Sequence, residues 1–232
     1  MTSARSSCAS DWRQRIGRRL RTVPITKASG TTLGIGAFFV AYFWTLHHPL
    51  FAVITMPLTA PDRWIGFVPQ ALPLYASLWL YVSLAPALLA DRRELLSFGL
   101  GALVLSLVGL GIFMLWPTAV PALEIDWSRH AAFVFLKQVD MAGNACPSLH
   151  AAFAVFAALW IDRVLRDVNA PRALRGLDWL WCAGILYSTL AVRQHVALDV
   201  LAGALLGAVV GGANLRWRGV AVPAAARGAT LA

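Results

Sequence analysis

Two stretches in the C-terminal half carry side chains able to attack an electrophile and to move a proton. "NACPSLHAAFAV" (144–155) places Ser148 and His150 at the opening of an apolar run, and "STLAVRQHVALDVLAG" (188–203) carries Arg193, His195 and Asp199. His195 and Asp199 are four apart, so a helix puts them on one face. A carboxylate that holds one imidazole nitrogen fixes the tautomer and leaves the other nitrogen free to attack. In the first stretch Pro147 suits the first turn of a helix, whose free N–H groups and dipole attract phosphate. Ser148 adds a hydroxyl donor, His150 a proton, and Arg193 a planar fork that matches phosphate oxygens. Each stretch alone has a plain structural reading: a histidine hydrogen-bonded at a helix start, or a buried His–Asp pair that stiffens a bundle. Brought to one place, they describe phosphoryl transfer. One histidine attacks phosphorus, the other protonates the leaving oxygen, and the donors stabilise the spreading negative charge.

The elements that would bring them together are membrane helices. Of the 232 residues 59% are hydrophobic and only 13% charged, and mean hydropathy is +0.65. Soluble domains run at roughly 45–50% apolar and about 25% charged. Charge-free apolar stretches fall at about 31–56, 64–90, 95–116, 141–161, 179–192 and 200–215. The first three are long enough for a bilayer, and the last three reach across with snorkelling ends such as Arg163 and Arg216. The expected fold is therefore all-α: a polytopic membrane protein of about six transmembrane helices in a bundle. Gly203, Gly207 and Gly211 recur every four residues in the last stretch, a spacing that lets helix backbones approach closely.

Charge sets the orientation. Sixteen of the 20 basic residues fall in the N-terminal tail, the second and fourth connections and the C-terminal tail. Arg63, Arg129, Lys137 and Arg193 are left for the opposite side, so both termini are expected in the cytoplasm. The same distribution accounts for the net charge of +9 without a nucleic-acid partner. Both chemical stretches then fall at non-cytoplasmic span ends, which a bacterial inner membrane would turn towards the periplasm. Expected domains are a basic tail (1–30), a six-span catalytic domain (31–215) and a C-terminal tail (216–232). Within the first tail Trp12, Ile16, Leu20 and Val23 have helical spacing among arginines. They read equally as a surface helix on an anionic leaflet or as a disordered basic tail. Cys8, Cys146 and Cys182 show neither a disulfide framework nor metal-ligand spacing, and no metal or other cofactor is expected.

"CPSLHAAFAV" followed about 40 residues later by "STLAVRQHVALDVLAG" resembles the type 2 phosphatidic acid phosphatase superfamily. The Pro-Ser-Leu-His, Ser-Thr and Gln-His forms are most similar to its inositol phosphorylceramide synthase-like branch. The resemblance implies His195 as a nucleophile forming a phosphohistidine, Asp199 as its orienter, His150 as general acid and Ser148 as a phosphate-binding residue. It also implies metal-independent catalysis on a membrane lipid phosphate, diphosphate or phosphodiester.

Two departures concern phosphate binding. The family has Ser-Arg where this chain has Ser188-Thr189, and the lysine and Arg-Pro of its first motif have no counterpart; "WPTAVPALE" (116–124) has Ala122 where a basic residue is expected. Arg193, Lys137 and Arg129 are the candidates to supply that charge. Hydrolysis and transfer to a lipid hydroxyl use the same residues and stay open, as does a catalytically weak member that serves as a lipid-binding scaffold.

Overall fold

A computed structural model describes residues 3–122, 125, 132–133 and 143–221. Within them the regular structure is helical apart from two very short strands, with loops between the helices. The helices are α1 (Ser3–Arg21), α2 (Pro24–His47), α3 (Ala60–Trp64), α4 (Leu72–Ala76), α5 (Leu78–Ala87), α6 (Arg92–Leu115), α7 (Leu149–Asp167), α8 (Arg172–Ala191) and α9 (Ala197–Ala221). Three of these, among the described residues, are long and apolar enough to cross a membrane: α2, α6 and Ala197–Trp217 of α9.

The stretch 64–90 is not one helix. Pro69 and Pro73 lack the N–H that a continuous ladder requires, and the segment forms a 3-10 turn (Pro69–Ala71), α4 and α5. The stretches 141–161 and 179–192 shift into α7 and α8, which extend into charged sequence at one end: Asp162, Arg163, Arg166 and Asp167 in α7, and Arg172, Arg175 and Asp178 in α8. The helices also run past the expected domain limits, since α2 begins at Pro24 and α9 continues to Ala221.

Charge pairing gathers at one end of the bundle. The 1–30 region is helical from Ser3, and the chain turns sharply at Val23, whose φ of 43° is left-handed. Arg19 of α1 donates to the Leu88 carbonyl and to Glu94, and Lys27 Nζ donates to the Arg19 and Ala87 carbonyls at 2.5 and 3.0 Å. Glu94 also accepts from the Ala90 N–H at 2.6 Å while Asp91 caps α6 through the Glu94 N–H at 2.8 Å. At the same end Asp162, almost fully buried, is paired by Arg166 and by Arg175 at 2.6 Å.

The core is organised around α7. Phe156, Trp160, Ala154 and Ala158 are fully buried against α5, α6, α8 and α9. The closest approach is between α7 and α9. A Cβ at Gly203 would overlap the main-chain oxygen of Ser148, and one at Gly207 that of Ala152. Gly211 faces Phe156 and Leu159. The glycine repeat is thus the contact face of α9, with Leu201, Leu205 and Val209 exposed on its other side. This helix is buried along one stripe only, rather than enclosed by the bundle.

An alanine at 203 would gain about 1 kcal/mol of helix propensity over glycine. Overpacking against rigid main chain costs about 1–3 kcal/mol, and here neither helix backbone can give way without separating the pair. Gly203→Ala should therefore lower the thermal midpoint in detergent. Gly212→Ala, where a Cβ meets nothing within 4 Å, should leave it unchanged or raise it.

Candidate functional site

At the end of the bundle opposite the ion pairs, the first turns of α7 and α9 lie side by side. The helix α7 begins two residues later than the proline suggests, at Leu149. Ser148 is its N-cap, accepting the Ala151 N–H at 3.2 Å, and Pro147 stands just outside, after a cis Cys146–Pro147 bond. Short polar side chains are favoured at that position because they satisfy an N–H the helix leaves open. Ser148 is fully buried, and its own N–H donates to the Asp199 carbonyl at 2.9 Å. This main-chain bond ties the start of α7 to the first turn of α9.

His150 is the second residue of α7, with its ring stacked on Tyr75, centroids 4.0 Å apart and planes within 7°. Its Nε2 is 3.1 Å from the Tyr75 carbonyl oxygen. A carbonyl only accepts, so Nε2 carries the hydrogen of this bond and Nδ1 is the nitrogen left for proton exchange. Tyr75 lies near the end of α4, just before the break at Ser77.

The other histidine is held in a matching way. The Nδ1 of His195 is 3.1 Å from the Ala145 carbonyl oxygen and 3.7 Å from Asp199 Oδ2. The hydrogen bond therefore goes to the main chain, and the carboxylate, one turn on, acts on the ring through space. Both neighbours favour a hydrogen on Nδ1, which leaves the lone pair on Nε2. His195 retains 12% side-chain exposure, whereas Asp199 has none. Asp199 Oδ2 accepts the Val196 N–H at 3.0 Å, and its Oδ1 is buried with no hydrogen-bond partner.

Arg193 reaches the same end with positive φ (58°) and donates from two nitrogens to main-chain oxygens of α3 and its C-cap, Asp62 at 2.8 Å and Ile65 at 2.7 Å. Any phosphate contact by Arg193 must use its remaining N–H groups. Lys137 and Arg129, with Glu124, Asp126, His130 and Asp140, lie outside the described residues. His47 and His48 bond back to carbonyls of their own helix, Phe43 and Trp44, at 2.6 and 2.8 Å. No group of three or more metal-binding side chains occurs among the described residues.

Four contributors escape a reading of the two stretches: the Ala145 and Tyr75 carbonyls, Thr118 and Asp62. Strand β1 (Ile54–Thr55) pairs in parallel with β2 (Thr118–Ala119), and Thr118 also bridges to Asn144. The Thr118 carbonyl accepts from Gly143 and Ala145 N–H groups, and its Oγ1 from Cys146 N–H at 2.7 Å. Thr118 thus fixes the segment whose carbonyl holds His195. A polar residue inside "WPTAV" was the available signal, and its partner lies 28 residues away.

The model of the family described as PAP2 superfamily matches residues 93–222, a span that includes α7, α9 and both histidines. This chain belongs to the PAP2 superfamily. Members are generally phosphatases or phosphotransferases, and membership suggests a lipid phosphatase-type function acting on membrane lipids. No curated protein and no solved structure matches the chain.

Replacing Thr118 by valine leaves the buried Cys146 N–H unpaired, which costs about 1–3 kcal/mol. Denaturant unfolding in detergent should show that loss for Thr118→Val and little of it for Thr118→Ser, which restores the acceptor.

Proposed function

We propose that this PAP2 member is a metal-independent lipid phosphatase or headgroup phosphotransferase that works through a phosphohistidine on His195. The observation that carries the reading is the His195 ring, held by Ala145 and Asp199 at Nδ1 so that Nε2 keeps its lone pair. His195 Nε2 attacks phosphorus, the bond from phosphorus to the leaving oxygen breaks, and His150 gives that oxygen a proton from Nδ1. Water or a lipid hydroxyl then attacks the phosphohistidine, passes its proton to His150 and takes the phosphoryl group as the P–N bond breaks. The hydroxyl hydrogen of Ser148, left free by its capping role, and the unused N–H groups of Arg193 serve the phosphoryl oxygens. Lys137 and Arg129 are further candidates for that charge.

Six spans with both termini in the cytoplasm put this site on the non-cytoplasmic face, the periplasmic side of a bacterial inner membrane. The basic-residue count supports that orientation. The Ser188-Thr189 and Gln194-His195 pairs favour the inositol phosphorylceramide synthase-like branch and hence transfer between lipids.

Purified protein in detergent with EDTA, offered phosphatidic acid, an isoprenyl diphosphate or phosphatidylinositol, should release phosphate from one of them. With a labelled lipid alcohol present, transfer appears as a labelled phospholipid. His195→Ala should abolish both, and wild-type turnover in that variant would remove His195 as nucleophile. A folded wild type that neither turns over any lipid nor binds vanadate would point to the lipid-binding scaffold.

A further inference from the structure

Asp62 is a buried carboxylate in an exposed setting. The five-residue α3 carries it between exposed Pro61 and Arg63, and Trp64 beside it is 81% exposed, yet Asp62 itself is only 3% exposed. Burying a carboxylate is costly unless its oxygens are satisfied, and every contact of Asp62 can be accounted for. One oxygen accepts from Thr59 N–H and Oγ1 at 2.8 and 2.6 Å, closing α3 upon itself. The other accepts from the N–H of Ala197, the first residue of α9, at 2.7 Å. The main-chain oxygen of the same residue accepts from Arg193 at 2.8 Å.

The partners on the far side are therefore residues 193 and 197, and His195 lies midway between them. Nearby, Val68 N–H donates to the Ala191 carbonyl at 2.8 Å, so the segment after α3 also follows the exit of α8. Within the turn itself the N–H groups bond back to the end of α8: Val192 to Ser188 at 2.9 Å, Arg193 to Leu190 at 3.0 Å, and Gln194 and His195 both to Thr189, at 3.1 and 3.3 Å. These bonds fix the entry of the turn, which includes the left-handed Arg193, while Asp62 spans from residue 193 to its exit at residue 197.

We infer that Asp62 is a positioning residue for His195, bracketing the turn that carries the imidazole through the Ala197 N–H on one side and the Arg193 guanidinium on the other. It touches neither the ring nor the expected position of phosphorus. Its effect is to hold Nε2 in line for attack, and in this it rests on the function proposed above. It also gives Arg193 a second task, in which the guanidinium reads the α3 carbonyls.

Two variants and two measurements test this. A displacement of about 1 Å in a reacting group costs about 100-fold in rate. Asp62→Ala should lower kcat by about that factor on whichever lipid wild type turns over, with KM changed little. Asp62→Asn keeps an amide oxygen for Ala197 and should recover roughly tenfold of the loss, the value of about one hydrogen bond. The second measurement is independent of turnover: nitrogen NMR of histidine-labelled protein in micelles, with the His195 signals identified by their loss in His195→Ala. Both Asp62 variants should move the His195 ring signals and leave those of His47 and His48 in place. Wild-type kcat together with unmoved His195 signals in a folded Asp62→Ala or Asp62→Asn protein would overturn the assignment. If wild type turns over no lipid, the proposed function fails, and the ring signals alone still decide whether Asp62 sets the imidazole.

Discussion

Two helix backbones in contact without intervening side chains are the constraint on which the rest of this structure depends. The first turn of α9 reaches Ser148 only because residues 203 and 207 have no Cβ, and the Ser148 N–H can then meet the Asp199 carbonyl. Helices separated by ordinary side chains run 8–10 Å apart, which is too far for that bond. In a membrane, where lipid is as apolar as leucine, such approach is stabilised by dispersion and main-chain polar contacts rather than by expulsion of water. The same contact brings the start of α7, which carries His150, to the helix entered from the turn that carries His195.

Around that contact the polar groups are arranged by complementarity to helix ends. The first N–H groups of α9 meet two carboxylates, Asp199 at Val196 and Asp62 at Ala197. Negative charge is favoured there by the helix dipole, which offsets part of the cost of burying both. Asp199 therefore has a structural role as an N-terminal cap in addition to its place beside His195. Among the described residues, the Oδ1 of Asp199 and the Nε2 of Gln194, both close in sequence to His195, are buried without a hydrogen-bond partner. At the opposite end, charges of both signs neutralise one another, as around Asp162, and cations predominate in the sequence flanking them.

What was legible in the sequence is what periodicity and short spacing encode. The glycine repeat is contained within one helix and is found as its contact face, whereas His195 lies in the turn before α9 rather than on the helix that carries Asp199, and the helix of His150 is capped by Ser148 rather than opened by the proline. The broken helix at 64–90 was not legible from hydropathy, because an apolar run looks the same whether or not prolines interrupt its ladder. Pro69 and Pro73 were the signal, each standing at the start of a short helical segment. Asp62 and Thr118 were not legible because their importance lies in partners 135 and 28 residues away. Arg193 was legible as a cation at the site, while the recipients of its two N–H bonds, main-chain oxygens near residue 62, carry no side-chain signature.

That both imidazoles rest on main-chain oxygens has a consequence for how such a site is inherited. The proton on each ring is assigned by the path of a loop, residues 143–147 for one and the α4–α5 break for the other, and any amino acid but one that diverts the path supplies the same oxygen. Positions 75 and 145 are then free to drift in identity while the chemistry stays constant. Grafting serine, arginine, aspartate and two histidines onto another helical bundle would carry over the reagents without the grammar that orders them.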